Sequence, residues 1–413
     1  MAEDTREQTE DPSAESVAPA STPRPPVPLF VLAARVLIGL LSIVALAAMT
    51  IVWLRVARLE DSKNTTDAVV RAQDSGASVA PAPTDDGAND ILVVGNDSRT
   101  DMQGNPLSAE MLRELHTEAT ETMNTDTLIL LRIPHGGGKG SAVSIPRDTS
   151  VMVPPLGRAE KINGAMGITK ALTAQRLVDA GESDRAKIER ESGDAGRAAL
   201  IQAVQLLTGV RVDHYTEVSL YGFYLLTEAI DGVDVCLNEA TSDPDSGASF
   251  ARGPQTVRGG DAVAFVRQRK NLPRGDLDRI VRQQTFLSSA MSKVLSGDLL
   301  TNTGKLNALE EAVSKSVVMD EGLHFLQLVS QAQALASGQV QFVTIPVRSV
   351  GERNDRGQSI ITVDVPEVRR FVAGLVAATP PPSTSPVSTP SSRFSAAGVL
   401  DLTAAAPAVP CVD

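Results

Sequence analysis

The run Ile91-Leu92-Val93-Val94-Gly95-Asn96-Asp97-Ser98-Arg99 decides how this chain is read. Four apolar residues, three of them β-branched, closed by a glycine, describe a buried strand that empties into a polar loop. Asp97 thereby stands at the carboxyl end of a strand. Two more strands are predicted over residues 127–133 and 142–145. The turn signal between them, Pro134-His135-Gly136-Gly137-Gly138-Lys139-Gly140, favours an antiparallel hairpin. Such a hairpin puts Asp126, just before its first strand, and Arg147, just after its second, at one edge. If the Ile91 strand runs parallel to the 142–145 strand, Asp97 joins them, at the strand ends where open α/β sheets take ligands. The glycine turn is not a phosphate loop, since it lacks the G-x-x-x-x-G-K-[ST] spacing and follows a hairpin strand instead of opening a helix.

Carboxylate oxygens without a nearby His or Cys suit Mg²⁺ or Mn²⁺, hard ions that share oxygen ligands with phosphates. The histidines, at 116, 135, 214 and 324, are too scattered for zinc. Turn-former or helix-cap roles for Asp97 and Asp126 are the structural alternative. Further on, residues 265–269 read as a short strand whose alternation turns Arg267 and Arg269 to one face. After Pro273 and Gly275 a helix is predicted, with Asp276 near its cap. Ile280, Leu287, Met291 and Val294 or Leu295 form its buried stripe, and Arg279, Arg282 and Gln283 share its first turns. Cations there oppose the helix dipole and repel one another unless an anion sits among them. Residues 267–282 hold five arginines in a chain whose formal charge is -12, so local charge is the better guide to the ligand. The plain alternative is a solvated basic face paired with Asp276 and Asp278.

Composition, at 42% hydrophobic and 21% charged residues, leaves ample material for a core. Residues 1–28 are acidic and Pro-rich and read as a disordered tail. Within 29–55, the stretch from Val36 to Leu54 carries no charge. At about 1.5 Å per residue it spans roughly 28 Å, the thickness of a bilayer core. It is predicted as one transmembrane helix and not a cleaved signal, because it starts late, is long, and has no small-x-small site after it. Arg24 and Arg35 before it are matched by Arg55, Arg58 and Lys63 after it, so charge leaves its orientation open. Residues 56–89 read as a spacer, 90–378 as an α/β domain, 379–392 as a Pro/Ser/Thr linker and 393–413 as a short C-terminal segment. Cys236 and Cys411, both beyond the span, would bridge in a non-cytosolic compartment; two unpaired buried thiols are the alternative.

Taken together, these segments resemble the LytR-CpsA-Psr family of membrane-anchored cell-wall phosphotransferases over nearly the whole of residues 90–378. The family pattern G-x-D-x-R, S-D-T, S-I-P-R-D, K-I-N, then R-x-R and D-x-x-R-x-x-R-Q is met in order, with Thr125-Asp126-Thr127 standing for S-D-T. It falls at Asp97 and Arg99, Asp126, Arg147 and Asp148, Lys161 and Asn163, Arg267 and Arg269, and Asp276, Arg279, Arg282 and Gln283. Ala229-Ile230-Asp231-Gly232-Val233 is similar to the family's central turn. The resemblance implies an α-β-α sandwich with a central mixed β-sheet behind one transmembrane helix, with a cytoplasmic N-terminus and an extracytoplasmic domain. It further implies transfer of a glycopolymer from an undecaprenyl-pyrophosphate carrier to peptidoglycan, at the C6 hydroxyl of N-acetylmuramic acid.

By the same resemblance Asp97 and Asp126 hold Mg²⁺, while Arg99, Arg147, Arg267, Arg269, Arg279 and Gln283 grip the pyrophosphate. Asp148, Lys161, Asn163, Asp276 and Arg282 join the binding set, and Asp97 and Asp148 are candidates for the general base. Guanidinium forks match phosphate oxygens in a way ammonium groups do not. One departure is Asn124, where the family usually has Arg. Arabinogalactan is among the expected polymers, with teichoic-acid-like and capsular ones. A polyprenyl-pyrophosphate pyrophosphatase and a non-catalytic lipid-binding or regulatory protein are the competing readings. Nucleic acid is not an expected partner, since no DNA-reading segment stands out. Phe223, Leu226 and Ile230 fit a lipid groove or a core helix equally well.

Overall fold

The structure is a computed structural model; it describes residues 42, 50, 64–74, 86–101, 105–118, 123–135, 139–295, 302–323, 340–377 and 409–413. The chain divides into two units, Met1–Arg55 and Val56–Asp413. The predicted membrane span falls in the first unit and, save Ser42 and Thr50, lies outside the described residues. Among the described residues no helix is long and apolar enough to cross a membrane.

The second unit begins with β1 (Asn64–Thr66), α1 (Ala68–Asp74), β2 (Ala88–Asn96), α2 (Ala109–Glu114), β3 (Thr125–Pro134), β4 (Gly140–Ser144), β5 (Ser150–Val153) and β6 (Arg158–Lys161). There follow α3 (Ile162–Asp179), α4 (Arg185–Thr208), β7 (His214–Ser219), α5 (Leu220–Ala229), β8 (Val233–Leu237), β9 (Thr241–Asp243), β10 (Ala248–Phe250), β11 (Gly253–Val257), α6 (Gly259–Arg267) and α7 (Asp276–Leu295). The remaining elements are α8 (Thr303–Ser316), β12 (Val317–Asp320), β13 (Val340–Thr344), β14 (Ser349–Arg353), β15 (Ser359–Thr362), α9 (Val365–Ala377) and β16 (Cys411–Val412).

Seven strands form the central sheet in the order β1-β12-β7-β2-β3-β4-β13. It is mixed. β3 runs antiparallel to β4, the hairpin expected, and β2 antiparallel to β3, so β2 and β4 point the same way on either side of β3, the condition on which Asp97 shares their rim. Alternation along β2 sorts the core into two layers. Leu92 and Val94 face a cluster built with α3, α4 and α9, while Ile91 faces one built with α5, α6, α7 and β8. The result is a sheet with helices on both faces, the mixed α/β arrangement expected.

The sheet starts earlier in the chain than the sequence reading placed it. Within the stretch taken as a spacer, β1 pairs with β12 at the sheet edge, and Ala68, Val69 and Ala72 of α1 are buried. Three short polar residues of β1 carry no apolar run, which is why a pattern reading passes over them. A glycine sets one approach near the site: a side chain on Gly167 of α3 would strike the Met123 carbonyl, just ahead of the strand that carries Asp126. The turn at Asp231 and Gly232 has φ of 56° and 80°, left-handed values that leave the second position to glycine.

Candidate active site

The carboxyl end of β2, the start of β3 and the loop after β4 meet at one rim of the sheet. Asp126 is there because of a β-bulge: Gly95 pairs with Thr127 and Asn96 with Thr125, so Asp126 is an extra residue between them. A bulge breaks the strict alternation and re-aims a side chain, a common device beside active sites. Asp126 Oδ1 accepts from Arg147 Nη1 at 2.5 Å, which joins the two hairpin ends.

Asp97 sits in a frame of its own. Its Oδ1 accepts the Asn124 backbone N–H at 2.6 Å, and its Oδ2 lies 3.0 Å from Arg99 Nη1. Arg99 is drawn inward by Asp97 and by Thr117, whose hydroxyl accepts from Nε and Nη2 at 3.2 and 3.0 Å. It therefore holds Asp97 in place and stands behind the rim.

The remaining cations come from α6, the turn after it, and α7. Residues 265–269, expected as a strand, instead close α6, whose last residue is Arg267. The physical reason is the burial of Ala262, Val263 and Phe265, all fully buried with Ala264. Four consecutive buried residues mean that the helix is covered all round here, Val263 packing with Leu115 and Leu220 and the others in the second core layer, and a short apolar run buried in this way does not distinguish helix from strand by its period. Arg267 Nη1 donates to the Leu115 carbonyl at 3.1 Å and to the His116 carbonyl at 3.4 Å. Burial, then the like charge of Arg99, lowers its pKa, against the pull of Asp126 and Asp97. Residues 97, 99, 126, 147 and 267 thus share one electrostatic neighbourhood, in which cations outnumber anions.

Arg147, Arg267, Arg269 and Arg279, with Asp126 and Lys270, line a cleft of ≈ 470 Å³. Arg279, 2% exposed, reaches the Asp126 carbonyl at 3.5 Å. The opposite wall, Asp243, Asp245 and Ser246, went unnoticed in the sequence, where it reads only as a turn cluster. Buried Asp243 accepts the backbone N–H groups of Arg269 and Lys270 at 3.1 and 3.2 Å. Burial would raise its pKa, but those hydrogen bonds prevail and hold it below the usual carboxylate range. It fixes the turn that presents Arg269.

Other expected contacts lie away from the cleft or act from behind it. Asp148 is paired with Lys161 at 2.6 Å and stands 3.9 Å from both Arg147 and Arg269. Asn163 is buried, and its backbone N–H donates to the Arg147 carbonyl at 3.1 Å, so the K-I-N motif fastens the Arg147 loop. Gln283 donates to the Val266 carbonyl at 3.1 Å and so ties α7 to the end of α6. Arg282 departs most. It is 1% exposed, its Nη1 donates to Gln268 Oε1 at 2.7 Å, its Nε to the Asp413 carbonyl, and it covers the Phe265 ring. At i+3 from Arg279 it turns to the core side of α7, a distinction the first-turn spacing does not resolve. The side chain of Asp276 lies outside the described residues. Cys236 and Cys411 are joined by a disulfide, and β16 beside it pairs parallel to β8. Phe223 packs on Phe286 with centroids 5.1 Å apart, and Phe223, Leu226 and Ile230 all belong to the second core layer.

The donor set can be tested against a divalent ion. Among the described residues no group of three or more His, Cys, Asp or Glu stands together to hold a metal. An all-protein cage is therefore absent there. Asp97 and Asp126 offer oxygen alone, which fits an ion that takes one or two carboxylates and completes its shell with phosphate and water.

Fold and rim together define an α/β protein with a guanidinium-lined cleft at the strand ends of a mixed sheet. The LytR_cpsA_psr family model matches residues 54–373, and the chain belongs to that family. It is 50% identical over 286 residues, 69% of this chain and 55% of the other, to the cell wall biosynthesis protein LcpA of Corynebacterium glutamicum. It is 28% identical over 233 residues, 56% of this chain and 61% of the other, to the polyisoprenyl-teichoic acid–peptidoglycan teichoic acid transferase TagU of Bacillus cereus. The chain thus spans little more than half the length of either relative. A crystal structure of a Streptococcus agalactiae protein superposes with a TM-score of 0.50 at 16% identity, covering 72% of this chain and 92% of that one, a likeness of fold alone.

Proposed function

We propose that this protein transfers a glycopolymer from a polyprenyl-pyrophosphate carrier to a hydroxyl of peptidoglycan. The observation that carries the reading is the convergence of Arg147, Arg267, Arg269 and Arg279 on one cleft beside Asp126. Four guanidiniums and the Lys270 ammonium, set against the three carboxylates of Asp126, Asp243 and Asp245, leave positive charge that a diphosphate would neutralise. Phosphoryl transfer asks the protein mainly for positioning and charge stabilisation, which this arrangement supplies.

In the proposed reaction the acceptor hydroxyl oxygen bonds to the sugar-bearing phosphorus, and the bond from that phosphorus to the bridging oxygen breaks. Polyprenyl monophosphate leaves, the hydroxyl proton is lost, and a sugar phosphodiester remains on the acceptor. Arg147 would face the diphosphate from the loop after β4, Arg267 and Arg269 from the end of α6 and the turn after it, and Arg279 from α7. Mg²⁺, held by Asp97 and Asp126, would supply charge neutralisation of the diphosphate. The C6 hydroxyl of N-acetylmuramic acid as acceptor and arabinogalactan as polymer belong to this proposal, as does anchoring of the domain outside the cell by the apolar stretch of residues 29–55. The names of LcpA and TagU, both cell-wall proteins, support it.

Incubating the full chain with a polyprenyl-pyrophosphate-linked sugar, Mg²⁺ and peptidoglycan fragments tests the reading. Polyprenyl monophosphate and a phosphosugar-modified fragment are expected. Release of polyprenyl monophosphate with free sugar phosphate and no modified fragment would show water to be the acceptor, and no turnover in any combination would remove the transferase reading.

A further inference from the structure

We propose that Asn96 and Glu217 are positioning residues for Asp97, an inference that rests on the reading of the rim as a diphosphate site. Asn96 closes β2 and reaches Glu217 on the α4 side of the sheet. Its amide works in both directions. Nδ2 donates to Glu217 Oε1 at 2.5 Å, and Oδ1 accepts the Ser98 backbone N–H at 2.9 Å. One side chain thus ties down the chain on both sides of Asp97, while Asn124 and Arg99 hold the carboxylate itself.

Glu217 is fixed in turn. Its Oε2 accepts from Arg197 Nε and from the Tyr215 hydroxyl, both at 2.7 Å. Burial would raise its pKa, but the charge of Arg197 prevails and keeps it lowered, so Glu217 is an anion. Arg197 lies near Asp194, which accepts the Thr66 hydroxyl at 2.6 Å and carries the network to the edge strand β1. A buried ion pair adds little net stability over an apolar filling of the same space. This one lies directly behind the loop that presents Asp97. A small cavity of ≈ 40 Å³, lined by Asn96, Ser98, Arg197 and Glu217 with Met123 and Met166, backs the loop. The hydrogen bonds of Asn96 therefore join those from the Asp97 backbone N–H to the Asn124 carbonyl and from the Leu107 N–H to the Arg99 carbonyl in setting its placement.

Asn is the residue this position requires. Asp at 96 would keep the acceptor for Ser98 but lose the donor, and would set a second carboxylate against Glu217 in a low-dielectric site. Asn96→Asp is the sharp test, Asn96→Ala a neutral second variant should the first fail to fold, and Tyr215→Phe a control that weakens the network away from the loop. For each full-length variant three quantities are measured: hydrogen exchange of residues 97–101, affinity for inorganic pyrophosphate, and kcat with KM. The expected result for both Asn96 variants is at least tenfold faster exchange in that loop, pyrophosphate affinity within about twofold of wild type, and kcat lowered at least tenfold with KM little changed. Tyr215→Phe is expected to lower Tm without these effects. Unchanged loop exchange, or losses in kcat, pyrophosphate affinity and Tm that run in parallel and are matched by Tyr215→Phe, would overturn the proposal. Wild-type protein that neither binds pyrophosphate nor turns over would instead defeat the functional reading, and the exchange data would still decide the role of Asn96.

Discussion

Arg147 Nη1 lies 2.5 Å from Asp126 Oδ1, so the carboxylate that a metal would share is held by a guanidinium from the neighbouring strand end. The pair links the bulge in β3 to the loop after β4. Arg147 is consequently expected to act on chemistry and on the placement of Asp126 together. Arg147→Ala should lower kcat by about 10² to 10³, the usual cost of losing one preorganised charge donor. Arg147→Lys should not restore it, because an ammonium lacks the planar fork. Steady-state kinetics of the two variants would check this; a lysine variant at wild-type rate would show that charge alone suffices.

Arg267→Ala is expected to act first on binding. Its guanidinium is already disfavoured by burial and by Arg99, so an arriving diphosphate relieves a standing electrostatic cost. A charge-assisted hydrogen bond is worth roughly 1.5 to 3 kcal/mol, which corresponds to about a 10- to 100-fold loss of affinity. Calorimetric titration with pyrophosphate measures it directly. Wild-type affinity should also fall as salt rises, more steeply than that of the variant.

The Cys236–Cys411 bridge closes a segment with a sequence separation of 175 residues. In the chain-entropy model a loop of that size stabilises the folded state by roughly 5 kcal/mol. Cys411→Ser, or reduction, is expected to lower Tm by several degrees and to free β16, which brings the carbonyl of Asp413 to Arg282. A melt that reductant leaves unmoved would argue against the bridge.

Asp90, at the far end of β2, gives a pH signature. Burial raises its pKa to about 7, against the opposing pull of Arg132. The folded chain therefore holds a proton that the unfolded chain releases near pH 4. Stability from this group is present in full below that pH and is lost as pH rises through about 7. Thermal melts of wild type should show a Tm that declines over this window, and Asp90→Asn should flatten the decline.

What the sequence could and could not show follows from the range of each interaction. The apolar run of residues 91–94, the antiparallel pairing of the two strands that flank the glycine-rich stretch and the α7 stripe are local patterns, and each formed where expected, with β2 running on to Asn96. That Asp126 and Arg147 stand at one edge followed from strand direction alone. Asp126's aim did not, because a bulge of one residue is visible only in the pairing of β2 with β3. Arg282 and Gln283 sit on the helix turns expected of them, yet their partners, at Asp413, Gln268 and Val266, are set by packing. Nothing near Asn96 in sequence points to Glu217, 121 residues away. Motif residues that brace a site and motif residues that line it look the same until the chain is folded.

The central claim is that the guanidinium cleft receives a diphosphate. Its most direct test is a titration of the full chain with a polyprenyl pyrophosphate and, separately, with the matching polyprenyl monophosphate, using wild type and the Arg147→Ala/Arg267→Ala double variant. The expected result is salt-sensitive binding by wild type, at least tenfold tighter for the pyrophosphate, that is lost in the double variant. Equal affinity of wild type and double variant for the pyrophosphate would contradict the account.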